Sequence, residues 1–164
     1  MEIFRYKNEE IVFTHDVYKA FIHDDSNKKK IIPTLINNIP CTTFSKPVTS
    51  RILSKVYIIK NHKNTIVYVG KTRQSIATRF RQGLNPISGS GYYGYKWQDK
   101  EVLFIHCITI KSFNDTEIES TEAEVVYCHR TETGKWPSFQ SEIHFSNNDK
   151  CRLLAQYIYS LVAK

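Results

Sequence analysis

The sequence is poor in cysteine. It holds four, Cys41, Cys107, Cys128 and Cys151, and none forms a Cys-x-x-Cys pair or stands at zinc spacing from a histidine. A disulfide-stapled scaffold and a zinc module are therefore not expected. Scattered cysteines with no signal peptide in front of them predict reduced thiols in a cytoplasmic protein. Long apolar runs are also missing: nowhere do about 18 apolar residues follow one another, so no membrane span is expected. The opening Met1-Glu2-Ile3-Phe4-Arg5 lacks the apolar stretch of a signal peptide. There is no internal repeat and no low-complexity tract.

What is present is a chain of 164 residues, 41% of them hydrophobic. That length can bury a core without disulfides or a structural metal. Lys and Arg outnumber Asp and Glu by 23 to 16, a formal charge of +7. Such a chain attracts polyanions across about one Debye length, roughly 8–10 Å in ordinary salt. Nucleic acid is one class of partner that fits, though charge alone does not choose it.

Residues 1–50 differ in composition from the rest. Phe13, Val17, Ala20 and Phe21 fall at helical spacing, and Ile31, Ile32, Leu35 and Ile36 suggest a second short helix. A polar loop ending in Lys28-Lys29-Lys30 separates them, and the stretch from Pro40 to Pro47 reads as a connector. The first 50 residues are thus expected to form a short helical extension ahead of a domain spanning 51–164.

From Arg51 onward the pattern is regular. Val56-Tyr57-Ile58-Ile59 and Thr65-Ile66-Val67-Tyr68-Val69 are β-prone runs joined by Asn61-His62-Lys63-Asn64, which predicts a hairpin. A four-residue loop would pair Lys60 with Thr65 and set Tyr57 opposite Tyr68 on one face. Gly70 would end the second strand. Ser75 would cap a helix presenting Arg79 and Arg81 and stopping near Gly83. A Gly/Ser/aromatic loop follows, with Tyr92, Tyr93 and Tyr95, and then the apolar run Val102–Ile110, which is expected to be a central strand.

Thr116-x-x-Glu119 has the form of a capping box and opens a helix to about Arg130. Ile118, Glu122, Val125, Val126 and His129 share one stripe of roughly 100° on it. Glu122 therefore points inward, while Glu117, Glu119 and Glu124 fall outside the stripe. A carboxylate among core residues costs several kcal/mol unless it is paired or binds a metal. A last helix, about Asp149 to Ala163, has Leu153, Leu154, Tyr157, Ile158, Leu161 and Val162 on its apolar face.

In order along the chain stand Val56-Tyr57-Ile58-Ile59, Tyr68-Val69-Gly70-Lys71-Thr72, Arg79-Phe80 and Thr121-Glu122-Ala123-Glu124. This ordered set resembles the GIY-YIG nuclease signature over roughly residues 53–145. Each motif alone is weak; the order, the spacing and the secondary-structure context carry the likeness. Gly134-Lys135-Trp136-Pro137-Ser138-Phe139-Gln140 resembles the segment that closes the family domain. The sequence departs from the pattern at Lys55, where the first motif lacks its glycine. It departs again at Gly83, four residues after Arg79, where many members carry a His or Tyr. Tyr92, Tyr93 or Tyr95 could supply a phenol there, stack on bases, or simply pack.

The resemblance implies an α/β (α+β) fold with a small, mostly antiparallel sheet of about three strands flanked by helices. It implies a metal-dependent DNA endonuclease giving 5′-phosphate and 3′-hydroxyl ends. Tyr57 would be the general base, Tyr68 would orient water or phosphate, Arg79 would bind the phosphate, and Glu122 would hold one Mg²⁺ (or Mn²⁺). Lys71, with Arg79, would lower the phenol pKa of Tyr57. Lys71, Arg73, Arg81, Tyr93 and Lys96 are the candidate DNA contacts. A catalytically impaired DNA-binding module is the alternative, and Gly83 favours it. His106, His129 and His144 fit neither an HNH nor a zinc spacing, and His129, two turns on from Glu122 on the same face, is expected to be a core histidine or one that supports the site from behind. A homo-oligomer is compatible with the sequence, and a membrane partner is not expected.

Overall fold

The computed structural model describes residues 1–25, 28–85, 95–97, 102–140 and 148–163. Among the described residues, seven strands and three helices follow in the order β1 (Glu2–Tyr6), β2 (Glu9–Asp25), β3 (Lys28–Ile36), β4 (Ile39–Pro40), β5 (Ser54–Asn61), β6 (Ile66–Thr72), α1 (Ile76–Leu84), β7 (Val102–Ile110), α2 (Asp115–Thr133) and α3 (Asp149–Val162). All seven strands form one sheet, ordered β4-β3-β2-β7-β5-β6, with β1 paired to β2. Every pairing is antiparallel. The fold is α+β as expected, but the sheet has seven strands, not about three.

The largest correction is at the N-terminus, which is strand and not helix. In β2 the buried residues are Ile11 and Phe13, then Tyr18 and Ala20. Odd positions face one layer and even positions the other, because the layer that covers the strand changes sides halfway along. A period of two with one phase slip imitates a helical period. In β3 the bulge opposite Lys19 and Ala20 has the same effect. Ile31 and Ile36, of opposite parity, both pack against the same cluster. The extension pairs along β7 from Phe13↔Ile110 to Phe21↔Val102, so β7 is central, as its apolar run predicted.

One face of the sheet carries Val56, Ile58, Val69, Ile108 and Ile110 and packs on α2 and α3. The other carries Tyr57, Ile59, Leu103, Ile105 and Cys107 and packs on α1 and Trp97. Two buried lysines on β5 were not anticipated. Lys55, where the family glycine would stand, donates to the carbonyls of Ser50 (2.8 Å), Leu53 (2.6 Å) and Arg73 (3.4 Å). Burial pushes its ammonium down to about 8. Lys60 donates to Val162 O at 2.6 Å, at the C-terminal end of α3, where orphan carbonyls and the helix dipole favour a cation.

Helix boundaries also moved. The capping box of α2 is Asn114 with Glu117, two residues before the expected pair, and Gly134 (φ 71°) ends the helix in the left-handed conformation. Ser75 is the N-cap of α1, but its side chain makes no capping bond. On α3 the buried residues are Cys151, Leu154, Ala155, Ile158 and Val162, whereas Leu153 and Tyr157 are over one-third exposed.

Candidate active site

The site lies at the β6 rim of the sheet. The hairpin β5–β6 is present, but its register differs from the expectation. Lys60 pairs with Ile66, a bulge follows, and Ile59 pairs with Tyr68 while Tyr57 pairs with Gly70. Tyr57 and Tyr68 still share a face, as diagonal rather than opposite neighbours, with ring centroids 6.0 Å apart. The β6 strand also runs past Gly70 to Thr72.

This register explains Gly70. A Cβ on it would overlap Cζ and the hydroxyl of Tyr57 and come within 2.8 Å of Tyr68 Cε1. Only a residue without a side chain lets the Tyr57 ring lie flat across β6 toward the rim. Tyr57 is fully buried. Its hydroxyl accepts from Arg79 Nε at 3.3 Å and shares a hydrogen bond with the Tyr95 hydroxyl at 2.8 Å. Arg79 comes from α1, whose Phe80 meets the Tyr57 ring edge-on at 5.3 Å.

The rim itself is an exposed strand edge, which natural sheets usually cover. Here three groups cover it. Phe139 N donates to Val67 O at 2.9 Å, and Val69 N donates to Gln140 Oε1 at 3.1 Å. Two residues on, the backbone N–H of Lys71 bonds the carboxylate of Glu122 from α2. The closing segment read in the sequence is thus a cap on the edge strand.

The electrostatics follow from burial. Burial pushes the Glu122 carboxyl up to about 7, partly offset by Lys71 and Arg79 and reinforced by Glu119. Tyr57 is raised well above its ordinary value by burial and then by Tyr95, with Arg79 opposing. Tyr68 is raised by burial, Tyr57 and Glu122. Burial works against the Arg79 charge, but the oxygens of Tyr57 and Tyr95 outweigh it and hold the guanidinium more firmly protonated. The expectation that Lys71 and Arg79 bring the Tyr57 phenol down is therefore not met in the free protein. Desolvation of a fully buried phenol exceeds the attraction of one guanidinium. Lys71 is engaged elsewhere, in an ion pair with Glu119.

Tyr57, Tyr68, Arg79, Lys71 and Glu122 thus come together. Of the other candidates, Arg73 is tied to Ser54 Oγ (3.3 Å), Phe113 O (3.1 Å) and Asp115 (3.1 Å). It shares with Arg81, and with the unanticipated Arg51, a cleft of about 340 Å³ beside α1. Lys96 is exposed, and Tyr93 and His144 lie outside the described residues. Glu124, expected outside the buried stripe, is 2% exposed, because α2 packs on α3 as well as on the sheet. His129 is buried, with Nδ1 3.5 Å from the Tyr159 hydroxyl. His106 bonds His15 at 3.0 Å.

Among the described residues, no group of three or more His, Cys, Asp or Glu could hold a metal ion. Glu122 is a single hard oxygen donor. That fits Mg²⁺ or Mn²⁺, which keep several waters and can use substrate phosphate as further ligands. No described helix is long and apolar enough to cross a membrane.

Neither a curated protein nor a solved structure matched the chain. The family model of the GIY-YIG catalytic domain matches residues 54–133, from the first residue of β5 to the last of α2. That segment, which holds all five converging residues, is where the chain matches the GIY-YIG nuclease superfamily.

Proposed function

We propose that the chain is a divalent-metal-dependent DNA endonuclease that hydrolyses phosphodiester bonds to 5′-phosphate and 3′-hydroxyl ends. The convergence of Tyr57, Tyr68, Arg79 and Glu122 on one sheet rim supports this reading most strongly. Tyr57 takes a proton from the attacking water. Its ionised form is favoured by the Arg79 Nε–H already aimed at its oxygen. The guanidinium has four further N–H donors, which suit the non-bridging oxygens of the phosphate. Tyr68, beside Glu122, orients the water or phosphate. Glu122 would hold the Mg²⁺ or Mn²⁺, whose Lewis acidity relieves phosphate charge when bound.

The duplex backbone would follow the cleft of Arg51, Arg73 and Arg81 and the exposed Lys96. Lys71 contributes less, since Glu119 offsets its charge. Phosphate contacts of this kind make affinity fall steeply with salt.

Nicking of supercoiled plasmid, with Mg²⁺ and with EDTA, tests the assignment. Cleavage should occur only with metal, and Arg79→Ala should reduce it by at least about 100-fold, as for removal of a principal charge-stabilising group. The elevated Tyr57 favours one other reading, a DNA-binding module without turnover. DNA binding without cutting under any metal would support that module and contradict the nuclease.

A further inference from the structure

Gly83 and Tyr95 explain each other. Gly83 is buried on the inner face of α1. A Cβ there would overlap Cε2, Cζ and Cδ2 of Tyr95. The bare Cα is a notch, and the Tyr95 ring fills it. Tyr95 N donates to Gly83 O at 2.9 Å, which fixes the chain at the notch. Trp97 stacks on the ring from behind, centroids 4.6 Å apart and 18° from parallel. Tyr68 meets it edge-on at 5.4 Å. So held, the phenol reaches Tyr57 at 2.8 Å, and the Arg79 guanidinium lies 5.8 Å from the ring centroid.

We propose that Tyr95, seated in the notch at Gly83, is a positioning residue for the reaction, its hydroxyl directed at the oxygen of Tyr57. This rests on the nuclease reading above and adds to it the group that conditions the base. Two hydroxyls 2.8 Å apart in a buried site titrate as a pair, so the rise that Tyr95 adds to Tyr57 belongs to the second proton to leave and not to the first. When the first proton leaves, the remaining O–H donates to the phenolate oxygen, and a charge-assisted bond of that kind is stronger than a neutral one. The other groups facing Tyr57 are Arg79 from α1, Tyr68 from β6 and Cys107 across β7, with Glu122 beyond Tyr68. Of these only Arg79 is a cation. Tyr95 thus adds an O–H donor to the same oxygen beside Arg79 and Tyr68, from the chain that follows α1 and not from the helix itself.

Tyr95→Phe is the test, because it keeps the ring in the notch and removes only the hydroxyl. Two readouts are taken on the full chain. The first is the single-turnover rate of plasmid cleavage against pH with Mg²⁺. The rising limb should move to higher pH by about one unit, so that cleavage at neutral pH falls roughly ten-fold. The two rates should converge at high pH, with DNA affinity unchanged. A rate equal to wild type at every pH, or a loss of the same size at every pH, would overturn the proposal. The second readout is the titration of ¹³Cζ-labelled tyrosines by NMR, with Tyr57 assigned from Tyr57→Phe. The first site titration should move to higher pH in Tyr95→Phe whether or not the chain cuts DNA. If no preparation cleaves but that resonance moves, the nuclease reading fails and the phenol pair stands. If the resonance does not move, the pair fails whatever the cleavage assay shows.

Discussion

The two halves of the sheet spend their hydrophobic residues differently. In β5 and β7 the apolar run is nearly continuous, because helices cover both faces along their length. In β2 the covered face changes partway, and in β3 a bulge shifts the parity, so the apolar residues come in offset pairs. A continuous run bounded by polar loops has one reading. An offset alternation has two, and the helical one is wrong here. Burial of a strand is legible when its environment is uniform and becomes ambiguous when it is not.

The same comparison separates stability from chemistry. The first half supplies β2, which covers β7 for nine paired positions, Phe13 to Phe21. The second half supplies every residue of the proposed site. Deleting residues 1–40 should therefore have the largest effect. It strips the β7 edge and leaves Cys107 and Ile105 open to water. A bare apolar edge aggregates and does not persist as a stable fold. Thermal melting by circular dichroism should show no cooperative transition. A cooperative melt would mean that the family segment folds alone and that the extension is dispensable.

Gly70→Ala should come next. The added methyl meets the Tyr57 ring and Tyr68. Overpacking of this kind costs about 1–3 kcal/mol. Cleavage should fall far more than stability, because the proposed base is displaced from the rim. Loss of stability with cleavage intact would show that the glycine serves packing only.

The smallest effect should come from the pair His15–His106, where the first half meets the second. Burial, then His15 and Lys60, push His106 down from 6.5 to about 3. The unfolded chain therefore binds more protons between those values, and stability is lost as pH falls from 6.5 toward 3. Replacing both histidines with leucine should flatten that acid limb. Unchanged acid sensitivity in urea titrations would show that the pair is not responsible.

Much of the candidate site was legible because the family resemblance rests on particular residue types in a fixed order. Tyr57, Gly70, Arg79 and Glu122 could be picked out from order and helical direction. The hidden parts depend on tertiary contact. The Glu119 partner of Lys71 is one turn from Glu122 but carries no sign of which lysine it meets. The bulge at Ile59–Lys60 that turns opposite tyrosines into diagonal ones leaves no mark on a four-residue loop. Gly83 did leave a signal, a missing side chain where the pattern has one, but only the fold shows which of three nearby tyrosines fills the space.

If Glu122 is kept at the rim for chemistry, it is kept there at a cost in stability. Its carboxyl is raised from 4.5 to about 7, so its stabilising contribution is complete below 4.5 and is lost as pH rises through 7. The direct test is Glu122→Gln at pH 8, measured for thermal unfolding in EDTA and for plasmid cleavage in Mg²⁺. A higher melting temperature, by on the order of 2 kcal/mol of stability, and a loss of cleavage of at least about 100-fold are expected. A lower melting temperature, or cleavage at the wild-type rate, would contradict that expectation.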